Sequence, residues 1–164
     1  MKKAILVVVF FCAVIPFCLA QKIETKPGFV LSLSENLLSG SSSLMNYVGV
    51  SIGYSFKTND RIMFDLSWGV SVTEQSHNSQ VLSLMYGHEI RFSEQFGTQV
   101  AIGPGVLRDV EQRESSSIKP VGLLDIQHRI YFSQKGYVGF SGKAYIAKDS
   151  CLASFIGFTW GTKW

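Results

Sequence analysis

The chain has 164 residues, enough for one domain with a single extensive apolar surface, and it is 46% hydrophobic and only 16% charged. Its net charge of +3 at pH 7 comes mostly from Lys2 and Lys3; without them thirteen basic residues face twelve acidic ones, which leaves no nucleic-acid footprint. Cys12 and Cys18 lie near the start and Cys151 near the end, so a chain that loses its first 20 residues has no pair for an intrachain disulfide.

Lys2 and Lys3 precede an apolar run from Ala4 to Ala20 that ends in Cys18-Leu19-Ala20. A positive start, a short apolar centre and small residues at the exit predict a secretory signal peptide over 1–20, cut before Gln21, with 21–164 as one barrel domain. Pro16 and a run of about 17 residues, the lower limit of a helical span, argue against an uncleaved anchor. Bulky Phe17 before Cys18 and Phe11 before Cys12 argue against a lipid-modified cysteine at the cut.

Beyond the signal no apolar run approaches a helical span, and the pattern is alternation. It predicts strands over 28–36, 46–57, 61–73, 80–92, 96–108, 118–132, 137–147 and 151–163. In the second strand Val48, Val50, Ile52, Tyr54 and Phe56 oppose Gly49, Ser51, Gly53 and Ser55. The third sets Ile62, Phe64, Leu66, Trp68, Val70 and Val72 against Arg61, Met63, Asp65, Ser67, Gly69 and Ser71. The last sets Leu152, Ile156, Phe158, Trp160 and Trp164 against Ala153, Gly157, Thr159, Gly161 and Lys163. A soluble barrel would turn the bulky face inward. The many glycines and serines of the other face suit a crowded interior instead, so the expected fold is all-β, an eight-stranded antiparallel up-and-down transmembrane barrel.

The connections 57–60, 93–95 and 133–136 read as tight turns, while 38–45, 74–79 and 109–117 read as longer polar loops. That alternation matches the two ends of such a barrel. Phe29, Phe56, Phe92, Phe96, Phe132, Tyr137 and Trp164 fall at strand ends beside the turns or termini and predict an aromatic girdle there.

On these features the chain resembles the small eight-stranded outer-membrane β-barrel proteins of Gram-negative bacteria, over nearly all of 21–164. The resemblance implies an outer-membrane location among its lipids, a monomer, and assembly by the barrel-assembly machinery, which reads a terminal aromatic such as Trp164. Thr162 departs from the family's pattern, where an apolar residue is usual. The architecture carries many functions, so it does not supply one.

With the apolar face outward, Arg61, Asp65, Glu89, Arg91, Gln99, Asp125, Gln127, Arg129, Lys143 and Tyr145 point inward. An eight-stranded interior is only wide enough for its own side chains, so these residues should fill it and leave no channel. Arg61, Asp65, Glu89, Arg91, Asp125, Arg129 and Lys143 are expected to form a structural charge network, since buried charges persist only when paired. Counting back from the turn at 133–136 places Asp125 opposite or diagonal to Lys143.

One class of lipid A-modifying barrels uses His, Ser and an acid on the lipid-facing wall, with Ser two residues after His. Here Ile130 follows His128 and Ile90 follows His88 at that distance, so the motif is absent. Both histidines fall about 10 Å from the periplasmic rim, on a rise of about 3.3 Å per residue, and read as interfacial; His77 reads as a loop residue. No catalytic residue, cofactor or metal site is expected, and Cys151 reads as a buried or rim thiol.

Pro104 and Pro120 fall in the fifth and sixth strands, almost opposite each other if the loop centres near Gln112. Proline cannot donate to the ladder. Two readings follow: bulges that end pairing early, or a lateral opening between these strands that admits an acyl chain. The functional expectation is a structural or surface-interaction barrel with an unidentified extracellular partner. The alternatives are a lipid-handling enzyme and a soluble ligand-binding barrel.

Overall fold

Eight antiparallel strands close on themselves in chain order, with the last paired to the first. They are β1 (Gly28–Ser39), β2 (Leu44–Ser55), β3 (Asp60–Ser71), β4 (His77–Arg91), β5 (Phe96–Glu111), β6 (Ser117–Tyr131), β7 (Gly136–Ile146) and β8 (Cys151–Lys163). This computed structural model describes residues 27–39, 44–56, 59–72, 77–111, 117–148 and 151–164; the predicted signal segment lies outside them. Each strand has 11 to 16 residues, enough to cross a bilayer at the tilt of a barrel strand.

The strands run further than expected at one end. Pairing reaches Ser39↔Leu44, Val70↔Asn78 and Asp109↔Ser117, so ladder replaces much of the expected long loops. Only 40–43, 72–76, 112–116 and 147–150 lie between strands there, the described part of them being Val72, Ala147 and Lys148. Backbone groups on polar residues pair as readily as on apolar ones, which is why polarity misplaced those boundaries.

At the other end, with the termini, each hairpin turn opens on phenylalanine: Phe56, Phe92 and Phe132. Their amides bond Asp60 O at 2.8 Å, Phe96 O at 3.0 Å and Gly136 O at 3.3 Å. In two of the turns a serine oxygen caps the next backbone amides, Ser93 accepting from Gln95 and Phe96 and Ser133 from Lys135 and Gly136. Asn59 takes the left-handed conformation its turn requires, with φ 65°.

Apolar side chains cover the outside. Ile52, Phe64, Leu84, Ile102, Phe140 and Phe158 are all exposed, while Arg61, Asp65, Glu89, Asp125, Arg129 and Lys143 are all buried. A soluble ligand-binding barrel would show the reverse, so that alternative is corrected by the side-chain directions. Phe29, Phe56, Phe96, Phe132 and Trp164 lie exposed around the turn end, with Tyr54 edge-on to both Phe29 and Phe56. Tyr137 leaves the expected girdle and turns inward, where it is 2% exposed.

One bulge interrupts the outer pattern. Between Ser141↔Gly157 and Ala144↔Ala153, and again between Leu37↔Ile156 and Ser39↔Ala153, β8 carries one residue more than its neighbours. Ser154 holds the bulge by bonding both the N and the O of Ile156. The extra residue reverses the alternation, so Ala153 pairs with outward Ala144 instead of sharing the inner face with Gly157.

The prolines are arranged differently from expectation. β5 and β6 pair in one continuous register from Phe96↔Ile130 to Asp109↔Ser117, with Pro104 facing Gly122 and Pro120 facing Val106. Neither a lateral opening at Pro104 and Pro120 nor an early end to this pairing occurs. The interruption lies on the opposite edge of β5: the β4 ladder stops at Ser83↔Gly105 and resumes at Tyr86↔Ile102 in the same register. Proline's missing donor is taken up on that side. Pro120 lies beyond the first β6–β7 pair, Gly122↔Ile146, and so removes nothing from that ladder.

Candidate functional site

The inward positions divide into three layers along the barrel. At the turn end, Glu89 receives Arg61, Arg91 and Arg129 together. Arg91 Nε lies 2.7 Å from one carboxylate oxygen and Arg129 Nη1 3.6 Å from the other. The Tyr131 hydroxyl donates to the same carboxylate at 2.5 Å, and Arg61 also donates to Gln99 Oε1 at 3.0 Å. Two guanidiniums stack on interior rings, Arg91 over Tyr131 at 3.8 Å and Arg129 over Tyr137 at 4.1 Å.

The middle layer centres on Asp65. Its carboxylate accepts from Ser51 Oγ at 2.6 Å, Ser67 Oγ at 2.8 Å and Lys143 Nζ at 3.0 Å. Asp125 stands opposite Lys143 in the β6–β7 register, yet its hydrogen bond is from Gln127 Nε2 at 2.8 Å. Gln127 turns its own oxygen to Arg129, joining the middle layer to the turn-end layer.

Toward the loop end the interior is apolar, built on Met45, Tyr47, Val81, Leu107, Val121, Leu123 and Tyr145, and the same apolar cluster runs back through Met63, Met85 and Ala101 between the charged layers. This plug was not anticipated. Its signal lies in the loss of alternation at Val81-Leu82, Val106-Leu107 and Val121 to Leu124, where both faces of a strand become apolar. Every carboxylate in the two charged layers has a basic or amide partner.

Two polar contacts mark the outer wall. His88 Nδ1 lies 2.8 Å from Asp60 Oδ1, which also accepts the Tyr86 hydroxyl at 2.5 Å. His128 Nδ1 lies 2.9 Å from Thr98 Oγ1. Neither histidine meets a serine in these contacts. His77 opens β4, its side chain lying outside the described part of the structure. Cys151 is exposed at the start of β8, away from the buried position considered for it.

No family model matches this chain, and no curated protein matches it. Solved structures do. Neisserial surface protein A superposes with a TM-score of 0.65 at 9% identity, over 84% of this chain and 97% of that one. The N-terminal β-barrel domain of Pseudomonas aeruginosa OprF gives 0.65 at 12% identity, over 87% and 100%. The outer membrane enzyme PagL gives 0.51 at 14%, over 80% and 97%. The likeness is one of fold: the chain has the architecture of the small eight-stranded outer-membrane β-barrels.

Proposed function

We propose that the protein is an outer-membrane β-barrel with a closed interior, serving a structural or surface-interaction role rather than transport. The observation that carries this reading is the pairing of an apolar outer belt with an interior filled by the Asp65 and Glu89 clusters and, beyond them, the apolar plug. Water-borne solutes find no continuous polar path along such an interior. In this reading 1–20 directs export and is removed, the belt meets membrane lipid, the barrel is monomeric, and outward-facing Trp164 is read by the assembly machinery.

A lipid-handling enzyme remains the second reading, favoured by the His88–Asp60–Tyr86 and His128–Thr98 contacts on the outer wall. Against it stands the absence of a serine paired with either histidine among these contacts, the hydroxyls there being those of Thr98 and Tyr86. Fractionation of the source cells tests the leading reading: the protein should enter the outer-membrane fraction and migrate faster unheated than boiled. Recovery as a soluble protein without detergent would overturn it. Unchanged lipid composition in a deletion strain separates the structural role from the enzymatic one.

A further inference from the structure

Charge is unevenly distributed inside the barrel. The turn-end layer holds Arg61, Arg91, Arg129 and Lys163 against a single inward carboxylate among the described residues, Glu89. The middle layer holds Asp65 and Asp125 against Lys143. Among the described inward side chains, one layer therefore carries three excess positive charges and the layer behind it one excess negative charge.

The excess is not absorbed by hydrogen bonding. Lys163 Nζ donates to a neutral oxygen, Ser55 Oγ, at 3.3 Å. Arg61 Nε and Arg129 Nη1 are buried without a hydrogen-bond partner. Two relations hold these groups at one end: Ser55, which receives Lys163, pairs with Arg61, and Arg61, Arg91 and Arg129 converge on Glu89. Access is from the turn end, where the Arg91 side chain is 12% exposed and Lys163 half-buried, whereas Arg61 and Arg129 lie beneath at 3% and 0%.

We propose that the turn-end mouth of the barrel is a binding site for a phosphate-type anion, held by Arg91 and Lys163 with Arg61 and Arg129 supplying charge from below. Unpaired cations in a desolvated interior are destabilised until a counter-charge arrives. A tetrahedral anion of charge near −2 offsets most of the excess, and its oxygens accept from a guanidinium fork and an ammonium at once. Stacking on Tyr131 fixes the plane of Arg91 before the anion arrives, which limits the ordering cost of binding. The same phosphate chemistry is offered by a soluble phosphorylated solute and by a phospholipid headgroup bent over the rim.

The test uses the full barrel in alkyl maltoside micelles, which contain no phosphorus. The temperature at which the compact gel band is lost is followed during titration with inorganic phosphate, with chloride holding ionic strength constant. A saturable rise is expected. Lys163→Gln and Arg91→Gln should each weaken the response at least tenfold, while Lys135→Gln, on the exposed face of a turn, leaves it unchanged. Without phosphate at low ionic strength, Lys163→Gln should melt no lower than wild type, because it removes repulsion; a cation serving only as a structural partner would melt lower. A phosphate response equal to that of chloride, or one that both variants retain, overturns the proposal. A second arm repeats the titration in the same phosphorus-free micelles without and with added phosphatidylglycerol. A phosphate response that persists in both supports a soluble ligand, and one abolished by phosphatidylglycerol supports a headgroup. These results do not depend on which membrane houses the barrel, so this proposal and the location can fail separately.

Discussion

Lys143 on β7 donates to Asp65 on β3, four strands away around the wall, at 3.0 Å, although Asp125 faces it on the adjacent strand. The bond is a strut across the barrel's width. The sequence alone places Asp125 opposite or diagonal to Lys143, because neighbouring strands are the only contacts a register can supply. Barrel closure brings Asp65 nearer.

Asp65→Ala should therefore be the costlier of the two acid deletions, by about 3–5 kcal/mol, since it strands a buried ammonium and two serine hydroxyls. Asp125→Asn keeps an oxygen for Gln127 to bond and should cost less than about 1 kcal/mol. Thermal shifts of the compact gel band measure both. Equal losses would show that Lys143 divides its bond between the two acids.

Interior tyrosines lie over glycines on the next strand, Tyr137 over Gly161 and Tyr47 over Gly69. A β-carbon at Gly161 would collide with the Tyr137 ring, which in turn carries Arg129. Gly161→Val should cost about 1–3 kcal/mol through overpacking. Gly122→Ala is the matched control, because its β-carbon would approach nothing closer than Ile146 O at 3.9 Å. The same melting assay should find the first variant weakened and the second unchanged.

Amide exchange reports on the prolines. Gln99 and Gln127, whose amides face each other within the continuous β5–β6 ladder, should be strongly protected, and Leu84, whose amide faces the gap opposite Pro104, should exchange faster. Replacing Pro104 and Pro120 with valine should leave β5–β6 protection unchanged. Increased β5–β6 protection in that variant would restore the lateral opening.

Much of this architecture was legible because strand alternation is local: seven of the eight strands keep one inward parity throughout, and the charged inward residues of β3, β4, β6 and β7 follow from it. Three features were not. The β8 bulge depends on Ser154 bonding its own backbone neighbourhood, which no period reveals. Tyr137 was placed by its position near a turn, whereas its direction is set by the parity it shares with Gly139 and Ser141. The Asp65–Lys143 strut and the sharing of Glu89 by three arginines depend on closure, which brings side chains from opposite walls together. Lys163 was placed on the inner face, but its lack of an acidic partner appears only once all eight walls stand around it.

The inside-out arrangement is tested most directly by spin labels placed singly at Phe64 and Phe140 on the outer wall and at Ser67 and Ser141 within, in barrels reconstituted into vesicles. The outer labels should relax more readily with oxygen than with a water-soluble nickel chelate, and the inner labels should be shielded from oxygen, as the exposure of the first pair and burial of the second require. Outer labels that collide freely with the aqueous chelate would contradict a membrane-facing belt, and with it the account of this protein as a membrane barrel.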